Sequence, residues 1–361
     1  MANLAYMTTK QLRKSNIDAE LFMEKNPITL ADPLVFDPTL NGRYPEWISF
    51  FDKTKSSWKF NIIKKMRQKK YDLLHAYVEF PIFANFSGKP FIAQTQGSDL
   101  RELAQSNSMK GFLLRKAYKK AKTILYYQPD YYPILEKMNL KKEIFLPPFW
   151  DTSFFIEKTS SIQPRDQFVI FHPSNLDWRL KGNDKLILGY QKFVEKYPRS
   201  LLIIVERGPD SQRTHSLIKE CGLIDKVEFI TGPLKTLDLL EYYNHADVIA
   251  DQFILGSLGS IAWEVFSCGK PLLGFIHNNY FEKLYSESPS MCVAQSPDEI
   301  SKQLELLYDK KFRSDIGTKA REWIIKYHSQ DLFTKKLTYI YNSILEGLSI
   351  SEIQAKISKF S

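Results

Sequence analysis

Short apolar runs alternate with amphipathic segments along most of the chain. In the second half, runs rich in β-branched and aromatic residues predict strands at residues 168–172, 201–206, 227–230, 248–250, 272–275 and 291–294, with a helix at 184–196 behind an Asn183 cap. In the first half, the same rhythm predicts strands at residues 17–23, 72–77, 90–95, 122–127 and 143–146. Strands that alternate with helical segments are typical of a parallel sheet covered by helices. The pattern therefore predicts an α/β protein.

The length of the chain and its breaks indicate two domains. A chain of 361 residues exceeds the size at which a single core stops growing. The polar, proline-containing stretch 151–166 has the composition of a linker. We expect a first domain at 1–150, which opens on a helix, lacks a first strand and is irregular at 26–60, and a second at 167–330. Residues 331–361 are expected to form a C-terminal helix and a peripheral tail.

The amino-acid composition of the chain indicates which class of protein to expect. The chain carries 43% hydrophobic and 14% aromatic residues, as a globular protein with a sizeable core does. No apolar run is long enough for a transmembrane helix, and no secretory signal pattern opens the chain. The three cysteines are far apart and lack Cys-x-x-Cys spacing, so they suggest neither a disulfide framework nor a zinc site. We therefore expect a cytoplasmic protein.

The positive net charge of the chain indicates an acidic partner or a negatively charged surface. Lysine and arginine exceed aspartate and glutamate by 50 to 41, which gives a formal net charge of +9. Basic amphipathic segments at 59–72 and 109–122, the second with Phe112, Leu113 and Tyr118 beside its cations, would suit an anionic lipid surface on the inner face of the membrane. Alternatively, both are ordinary helices that lie on a sheet with a solvated charged face. Nucleic acid is not expected, because no recognition-module spacing is present.

A glycine-bearing turn in the second half is a candidate phosphate site. Residues 256–259, termed the glycine turn, comprise Gly256, Ser257, Leu258 and Gly259 and precede a predicted short helix that ends at Cys268 and Gly269. A helix start has unpaired N–H groups and a partial positive charge, so a turn that lets the backbone approach a ligand favours phosphate there. At helical spacing, Ser257, Ser260 and Glu264 share one face, where Glu264 could accept from a sugar diol. The alternative is an ordinary capped helix with a solvent-facing glutamate.

Two features of the first half are weaker candidates. Gly97, Ser98 and Asp99 follow an apolar strand directly, at the edge where open α/β sheets hold ligands. The alternative is a loop in which Ser98 or Asp99 caps the next helix. His75, which follows the apolar residues Leu73 and Leu74, either points into a cleft at a strand end or is a hydrogen-bonded structural residue.

Several motifs of the second half occur in the order seen in one family. They are His172-Pro173-Ser174 with Lys181-Gly182, then Arg207-Gly208-Pro209, Ile230-Thr231-Gly232, and Glu264-x-x-x-Cys268-Gly269-Lys270-Pro271. Together they resemble glycosyltransferase family 4, over residues 168–345. In the first half the resemblance is thinner and rests on Gly97-Ser98-Asp99 with Arg101 and on Asp72-x-x-His75. It implies the GT-B fold, two Rossmann-like doubly wound domains facing across a cleft, and retaining sugar transfer from a nucleotide donor, usually without a metal.

The resemblance also implies roles for individual residues. Lys181 is similar to the base that neutralises the donor diphosphate, and the glycine turn to the segment that holds the phosphates and sugar. Glu264 matches the second glutamate of the Glu-x7-Glu motif, which binds the ribose. The implied donor-binding set is Ser174, Lys181, Arg207, Gly232, Gly256, Ser257, Leu258, Gly259 and Glu264. The implied acceptor-side set is Gly97, Ser98, Asp99, Arg101 and His75, and the implied catalytic set is Lys181, Glu264 and Asp99.

Three positions depart from the family pattern. The first glutamate of the pair would stand at Gly256, so the usual contact to the donor sugar is missing. The arginine often found six residues before Lys181 is Asn175, which leaves Arg179 or Arg207 as the second cation. The histidine often found before Gly-Ser-Asp is Gln96.

The sequence therefore predicts a retaining glycosyltransferase that moves a hexose from a UDP- or GDP-sugar to a glycan or lipid-linked acceptor. No metal and no further cofactor are expected. One alternative is a nucleotide-sugar epimerase or hydrolase on the same fold, for which Asp99 and Asp251 would be the acid and base. Another is a catalytically degenerate binding or scaffold subunit. The donor sugar, its base and the acceptor stay open.

Overall fold

The structure, a computed structural model, describes residues 3–25, 27 and 32–360. The chain forms two compact units, Met1–Phe149 with Gln330–Ser361, and Trp150–Ser329. The structure thus groups the predicted linker, 151–166, with the second unit, and the C-terminal segment from 331 onward with the first. No helix in the described ranges is long and apolar enough to cross a bilayer.

Helices and strands take labels in chain order. The strands are β1 (Leu21–Glu24), β2 (Ile48–Phe51), β3 (Leu74–Tyr77), β4 (Phe91–Gln94), β5 (Ile124–Tyr126), β6 (Glu143–Phe145), β7 (Phe168–His172), β8 (Ser200–Glu206), β9 (Val227–Thr231), β10 (Val248–Ala250), β11 (Leu272–Gly274) and β12 (Cys292–Val293). The helices of the first unit are α1 (Leu4–Lys14), α2 (Pro33–Phe36), α3 (Trp58–Met66), α4 (Pro81–Ser87), α5 (Ser98–Arg101), α6 (Met109–Lys120), α7 (Tyr132–Met138), α16 (Gln330–Glu346) and α17 (Ile350–Ile357). Those of the second unit are α8 (Trp178–Lys181), α9 (Asn183–Lys196), α10 (Ser211–Glu220), α11 (Thr236–His245), α12 (Ser260–Ser267), α13 (Asn278–Tyr285), α14 (Pro297–Leu307) and α15 (Lys310–Tyr327).

The first unit contains a parallel sheet in the order β3-β4-β5-β6 and a separate parallel pair, β1-β2. Ile92, Leu125 and Ile144, one from each of β4, β5 and β6, are wholly buried in one hydrophobic cluster. Leu337 of α16 and Ile353 of α17 complete that cluster. The two C-terminal helices therefore cover one face of this sheet.

The second unit is built on a six-stranded parallel sheet in the order β12-β11-β10-β7-β8-β9. The chain first builds β7, β8 and β9 outward in one direction, then returns to add β10, β11 and β12 on the other side of β7. In such sheets the crevice for a ligand opens at the carboxyl ends of the strands where the order reverses, here between β7 and β10. This switch point of the sheet is where the candidate residues are found.

Two expectations about the first unit were wrong. Residues 26–60 are not irregular throughout, because the apolar run at 48–51 forms β2 and pairs in parallel with β1; residues 26 and 28–31 lie outside the described part of the chain. The expected peripheral tail at the C-terminus instead contains a packed helix, α17. Ser349 and Glu352 form a capping box that starts α17, and Ile353 and Ile357 bury its apolar face.

Candidate functional site

His172 ties the two halves of the second sheet together at the switch point. It is the last residue of β7 and is wholly buried. Its Nδ1 donates to the carbonyl oxygen of Ala250 over 2.8 Å, and its Nε2 accepts from Nδ2 of Asn183 over 2.8 Å. Burial lowers the pKa of His172 to about 4, so the ring is neutral at physiological pH and can make both hydrogen bonds. His172 thus positions β10 and the start of α9.

Asn183 is not the N-cap of α9. Gly182 occupies that position with φ +68°, and Asn183 is the first helical residue. Its side-chain amide turns inward to His172 and to the carbonyl of Asn175, 3.2 Å away. A Cβ on Gly182 would lie 3.0 Å from Cγ1 of Ile254, and its left-handed backbone favours glycine as well. This tight corner between α8 and α9 fixes the position of Lys181.

Lys181, Ser174 and Asp251 meet at the switch point. Nζ of Lys181 lies 3.6 Å from Oδ1 of Asp251, and the hydroxyl of Ser174 donates to the same oxygen. The side chain of Asp251 is only 4% exposed, whereas that of Lys181 is 23% exposed. The backbone oxygen of Lys181 accepts from the N–H of Phe253 over 2.7 Å, which holds α8 against the segment after β10. The ammonium group of Lys181 is therefore held in place and still reachable from solvent.

Arg207 adds a second cation from the end of β8. Its Nη2 donates to the carbonyl oxygen of Pro173 over 3.3 Å. Gly232, after β9, makes room for it: a Cβ there would lie 3.4 Å from Cδ of Arg207 and 2.6 Å from Cγ1 of Val205. The positive charge of Arg207 acts on both His172 and Glu264. Lys181 and Arg207 therefore place two cations beside the buried carboxylate of Asp251 at the switch point.

Gln252 shapes the segment that leads into the glycine turn. Its Nε2 donates to the carbonyl oxygens of Ser257 (2.7 Å) and Phe275 (2.8 Å), and its Oε1 accepts from the N–H groups of Ile254 (3.2 Å) and Leu255 (2.7 Å). This residue was missed from sequence, where the only available signal was a polar side chain directly after a buried strand. These four hydrogen bonds within the protein fix the backbone that leads into the turn.

The structure explains why residue 256 is glycine. Gly256 has φ +66°, and a Cβ added to it would lie 2.6 Å from Nε2 of His277 and closer still to Cδ2. Its carbonyl oxygen accepts from the N–H of His277 over 3.0 Å. A glutamate at this position would need an unfavourable backbone conformation as well as the space of the imidazole ring. The departure from the Glu-x7-Glu pattern thus coincides with His277, which no sequence motif singles out.

The glycine turn enters α12 as predicted. Gly259 is the N-cap residue, so no side chain caps the helix, and the helix ends at Ser267 with Gly269 in the left-handed conformation. Ser257 and Leu258 are buried, and Ser260 is exposed at the first position of the helix. The uncapped N–H groups at the start of an α-helix carry a partial positive charge. The start of α12 therefore has unpaired N–H groups of the kind that favour an anion, and the phosphate site stays a prediction.

Glu264 is half-buried rather than solvent-facing. Its Oε2 accepts a hydrogen bond of 2.6 Å from the hydroxyl of Tyr243 in α11. Burial, reinforced by the negative charge of Asp251, raises the pKa of Glu264 to about 7. Tyr243 itself is wholly buried and was not singled out by sequence, because an aromatic residue at core spacing in a helix predicts only packing. The pair presents a carboxylate beside the cations of the switch point.

In the first unit, Asp99 shapes the loop after β4. It is 1% exposed, and its Oδ1 accepts from the N–H groups of Gln96 (3.0 Å) and Gly97 (2.7 Å), while Oδ2 accepts from Tyr118 (3.0 Å). Burial raises the pKa of Asp99 despite these hydrogen bonds. Ser98 is exposed and lies at the start of α5. This geometry favours a structural role for Asp99 over the catalytic role expected from the sequence.

Arg101 and His75 are also engaged with protein groups. Arg101 makes two hydrogen bonds to Oδ2 of Asp130, of 2.8 and 2.6 Å, and stacks over Tyr131. Nδ1 of His75 lies 2.6 Å from the hydroxyl of Tyr341 in α16, and burial lowers the pKa of His75 to about 3. The structure therefore gathers the predicted donor-side residues at one switch point. It does not gather the acceptor-side set, because His75 lies within β3 against α16 whereas the others follow β4.

The stretch of chain that forms this site matches a known protein family. Residues 154–323 match the family described as Glycosyl transferases group 1. This stretch of the chain belongs to that family. The matched stretch holds Lys181, Arg207, the glycine turn and Glu264, so all four lie in the group 1 unit.

Relatives extend the comparison beyond the matched unit. A GDP-mannose-dependent alpha-(1-6)-phosphatidylinositol monomannoside mannosyltransferase of Mycobacterium tuberculosis is 26% identical over 166 residues, 44% of this chain and 43% of that protein. The similar stretch thus spans less than half of the curated relative. Among solved structures, HepE of Anabaena with UDP-glucose aligns with a TM-score of 0.73 at 13% identity, over 95% of this chain and 96% of that one. Sucrose-phosphate synthase of Thermosynechococcus elongatus aligns with a TM-score of 0.70 at 15% identity, over 94% and 92%. The chain therefore has the GT-B fold.

Proposed function

We propose that this group 1 chain transfers a hexose from a nucleotide sugar to a glycan or lipid-linked acceptor, with retention at the anomeric carbon and without a metal ion. The observation that carries the proposal is the gathering of Lys181, Arg207 and the glycine turn at the switch point of the second sheet. Retention and metal independence rest on the resemblance of the sequence motifs to the family.

The charges at this site suit the leaving group of such a reaction. As the bond between the anomeric carbon and the phosphate oxygen breaks, the nucleoside diphosphate takes the electron pair and gains negative charge. Lys181, Arg207 and the amides at the start of α12 are fixed before the donor arrives and would stabilise that charge without a metal ion. The acceptor hydroxyl forms the new bond to the anomeric carbon, and its proton passes to the departing phosphate oxygen on the same face.

Each end of the donor has a suitable partner in the second unit. The diphosphate would lie at the glycine turn, and the ribose hydroxyls would donate to the carboxylate of Glu264. Tyr243 orients that carboxylate through a hydrogen bond of 2.6 Å. Ser174 and Asp251 hold Lys181 at the phosphates, which makes them positioning residues.

Two relatives favour particular donors and an acceptor class. HepE has been solved with UDP-glucose, and the mycobacterial relative is named for GDP-mannose and phosphatidylinositol monomannoside. UDP-glucose and GDP-mannose are therefore the first donors to test. Because the relative is named for a lipid acceptor, we also consider the surface of the first unit as a lipid-binding surface.

The first unit presents exposed apolar side chains among cations, as a lipid-binding surface does. On α6, Met109 and Phe112 are 73% and 54% exposed and share one helical stripe with Lys116, Lys119 and Lys120. The stripe differs from the one expected from sequence, because Tyr118 is wholly buried and donates to Asp99. We propose that this α6 stripe contacts anionic lipid, since each lysine near such a membrane contributes about 1 kcal/mol.

On α3 a second stripe has the same character. Phe60 is 66% exposed and lies beside Lys59 and Lys64, which are exposed too. Helix α4 packs against both α3 and α6 and exposes Phe86 near Arg67, whose Nη2 donates to the Phe86 carbonyl oxygen over 2.9 Å. The apolar and basic side chains therefore extend over neighbouring helices, which supports a peripheral membrane location at the cytoplasmic face.

The geometry does not favour the two alternatives. An epimerase or hydrolase would need an acid and a base open to the substrate, but the carboxyl groups of Asp99 and Asp251 are buried and hydrogen-bonded. A degenerate scaffold subunit would not need to keep Lys181, which remains 23% exposed at the switch point. Both alternatives become outcomes of the activity test.

The test is a donor screen with the full-length protein. UDP-glucose, GDP-mannose and related sugars are incubated with and without phosphatidylinositol or a crude glycan acceptor, and released nucleotide and glycosylated product are measured with EDTA present throughout. The proposal expects transfer to one acceptor class in EDTA, with the anomeric configuration of the donor kept in the product. Binding without turnover would indicate the scaffold alternative, and hydrolysis unaffected by any acceptor would indicate the hydrolase.

A further inference from the structure

His277 is an exposed side chain at the edge of the glycine turn. It follows β11 and is the N-cap residue of α13. Its N–H donates to the carbonyl oxygen of Gly256 over 3.0 Å, and its ring lies over Gly256 where a side chain at that position would begin. The imidazole therefore fills, from the segment between β11 and α13, the space that residue 256 leaves open.

The ring is held in place by aromatic neighbours rather than by hydrogen bonds. Phe275 and Tyr280 make edge contacts with it, at centroid distances of 4.9 and 5.5 Å. Among the described residues, no side-chain hydrogen bond to Nδ1 or Nε2 of His277 is formed. An oriented, exposed imidazole with both nitrogens available can bind a ligand group at little entropic cost.

Glu264 and His277 are linked to different neighbours of β10 in the sheet. Glu264 bonds to Tyr243, which packs against Phe171 of β7, and His277 follows β11; β7 and β11 are the two neighbours of β10 in the sheet. A nucleotide sugar carries its diphosphate in the middle, with the nucleoside at one end and the sugar at the other. If the diphosphate lies at the glycine turn and the ribose at Glu264, the sugar extends toward β11.

We propose that His277 is a specificity-determining residue that contacts the donor sugar through an imidazole nitrogen. The inference rests on the proposed function, because it takes the glycine turn as the diphosphate site. A neutral imidazole can donate to one sugar oxygen and accept from another, whereas a carboxylate can only accept. The site therefore selects its sugar through a single heterocyclic group presented from β11 and not through a side chain on residue 256.

The test compares ligands with and without the sugar. Affinities of the full-length protein for UDP-glucose, GDP-mannose, UDP and GDP are measured for the wild type, His277→Ala, His277→Gln and the control Asn279→Ala, an exposed residue of the same helix. His277→Ala is expected to weaken binding of the nucleotide sugar about tenfold, the loss of one good hydrogen bond, and to leave the matching nucleoside diphosphate within about twofold. His277→Gln should recover part of the loss, and Asn279→Ala should change neither affinity.

The outcomes separate this inference from the proposed function. Equal weakening of both ligands by His277→Ala, or no weakening of either, would overturn the sugar contact while nucleotide binding still stood. A wild-type protein that bound none of the four ligands would instead overturn the proposed function. Because the ring is exposed, the alanine variant is expected to melt within a degree or two of the wild type, which makes a folding failure easy to recognise.

Discussion

Nζ of Lys181 lies 3.6 Å from Oδ1 of Asp251. The carboxylate is nearly inaccessible to solvent, so it holds the ammonium group at the point where a diphosphate would bind. A phosphate arriving there gains the cation but also meets a buried negative charge. Asp251 therefore positions Lys181 and also competes with the phosphate for its ammonium group.

Asp251→Asn tests that competition. The amide oxygen can still accept from Ser174, but the negative charge near the phosphates is lost, so binding of a nucleotide sugar is expected to tighten several-fold while the melting temperature falls. Calorimetric titration and thermal unfolding measure the two effects. Asp247→Asn, whose carboxylate pairs with Arg313, is the control and should leave affinity unchanged. Weaker binding in Asp251→Asn would show that the charge itself is needed.

Glu264 predicts a pH dependence of donor binding. Burial raises the pKa of Glu264 to about 7, so at pH 6 the free protein holds this carboxyl mostly protonated. A ribose diol donates to the ionised form, and a proton must leave on binding. Affinity for a nucleotide sugar should therefore fall as pH drops, by up to about tenfold between pH 7.5 and 6.

The control for this dependence is Glu264→Gln, which is expected to bind more weakly at pH 7.5 and to show a flat profile. A nucleotide sugar is the proper ligand, because the terminal phosphate of a nucleoside diphosphate titrates in the same range. The same slope in wild type and variant would assign the dependence to another group.

Gly256 should not tolerate a side chain. Gly256→Ala combines a left-handed backbone, which costs about 1–2 kcal/mol, with a Cβ only 2.6 Å from Nε2 of His277. Gly222→Ala is a matched control, because Gly222 has φ +67° and nothing within 4 Å of the position that a Cβ would take. We expect Gly256→Ala to lower the melting temperature more than Gly222→Ala and to weaken nucleotide binding. The double variant with His277→Ala should recover the difference; no recovery would place the steric conflict elsewhere.

The α6 stripe predicts salt-sensitive membrane binding. Flotation with liposomes containing phosphatidylinositol is expected for the wild type at low salt and to decline as salt rises, because screening weakens exposed charge interactions. Replacing Lys116, Lys119 and Lys120 with alanine should reduce flotation strongly. The same loss of charge at Lys302, Lys310 and Lys311, exposed residues of the second unit, is the control. Flotation that depended on neither salt nor the α6 lysines would contradict the proposed lipid surface.

Much of the second unit could be predicted from its sequence because each strand is a short apolar run. The strands at 168–172 and 248–250 agree with the prediction to the residue, and the glycine turn enters a helix as expected. The order of the strands in the sheet was not predictable from single runs. It depends on pairing between residues far apart in the chain, such as Val248 with Ile170.

The sequence did not reveal the polar side chains whose hydrogen-bond partners lie far away along the chain. Gln252 and Tyr243 matter through hydrogen bonds to Phe275 and Glu264, and neither position differs locally from ordinary loop or core residues. His277 was missed for the same reason. Its ring lies over Gly256, but it belongs to the segment between β11 and α13, far along the chain from Gly256. Asp99 shows the reverse, since a motif position expected to act on substrate is fully used by its own loop.

The most direct test of the donor site is the affinity of full-length Lys181→Ala for UDP-glucose and GDP-mannose, measured by titration calorimetry beside the wild type and Lys192→Ala. Lys192 lies on the neighbouring helix α9 and pairs with Asp298 at the surface, so it controls for loss of one positive charge. We predict that the wild type binds one of these donors, that Lys181→Ala weakens this binding tenfold or more, about 1.4 kcal/mol, while the protein stays folded, and that Lys192→Ala binds like the wild type. Equal donor affinity in wild type and Lys181→Ala would contradict the role of Lys181 at the donor phosphates.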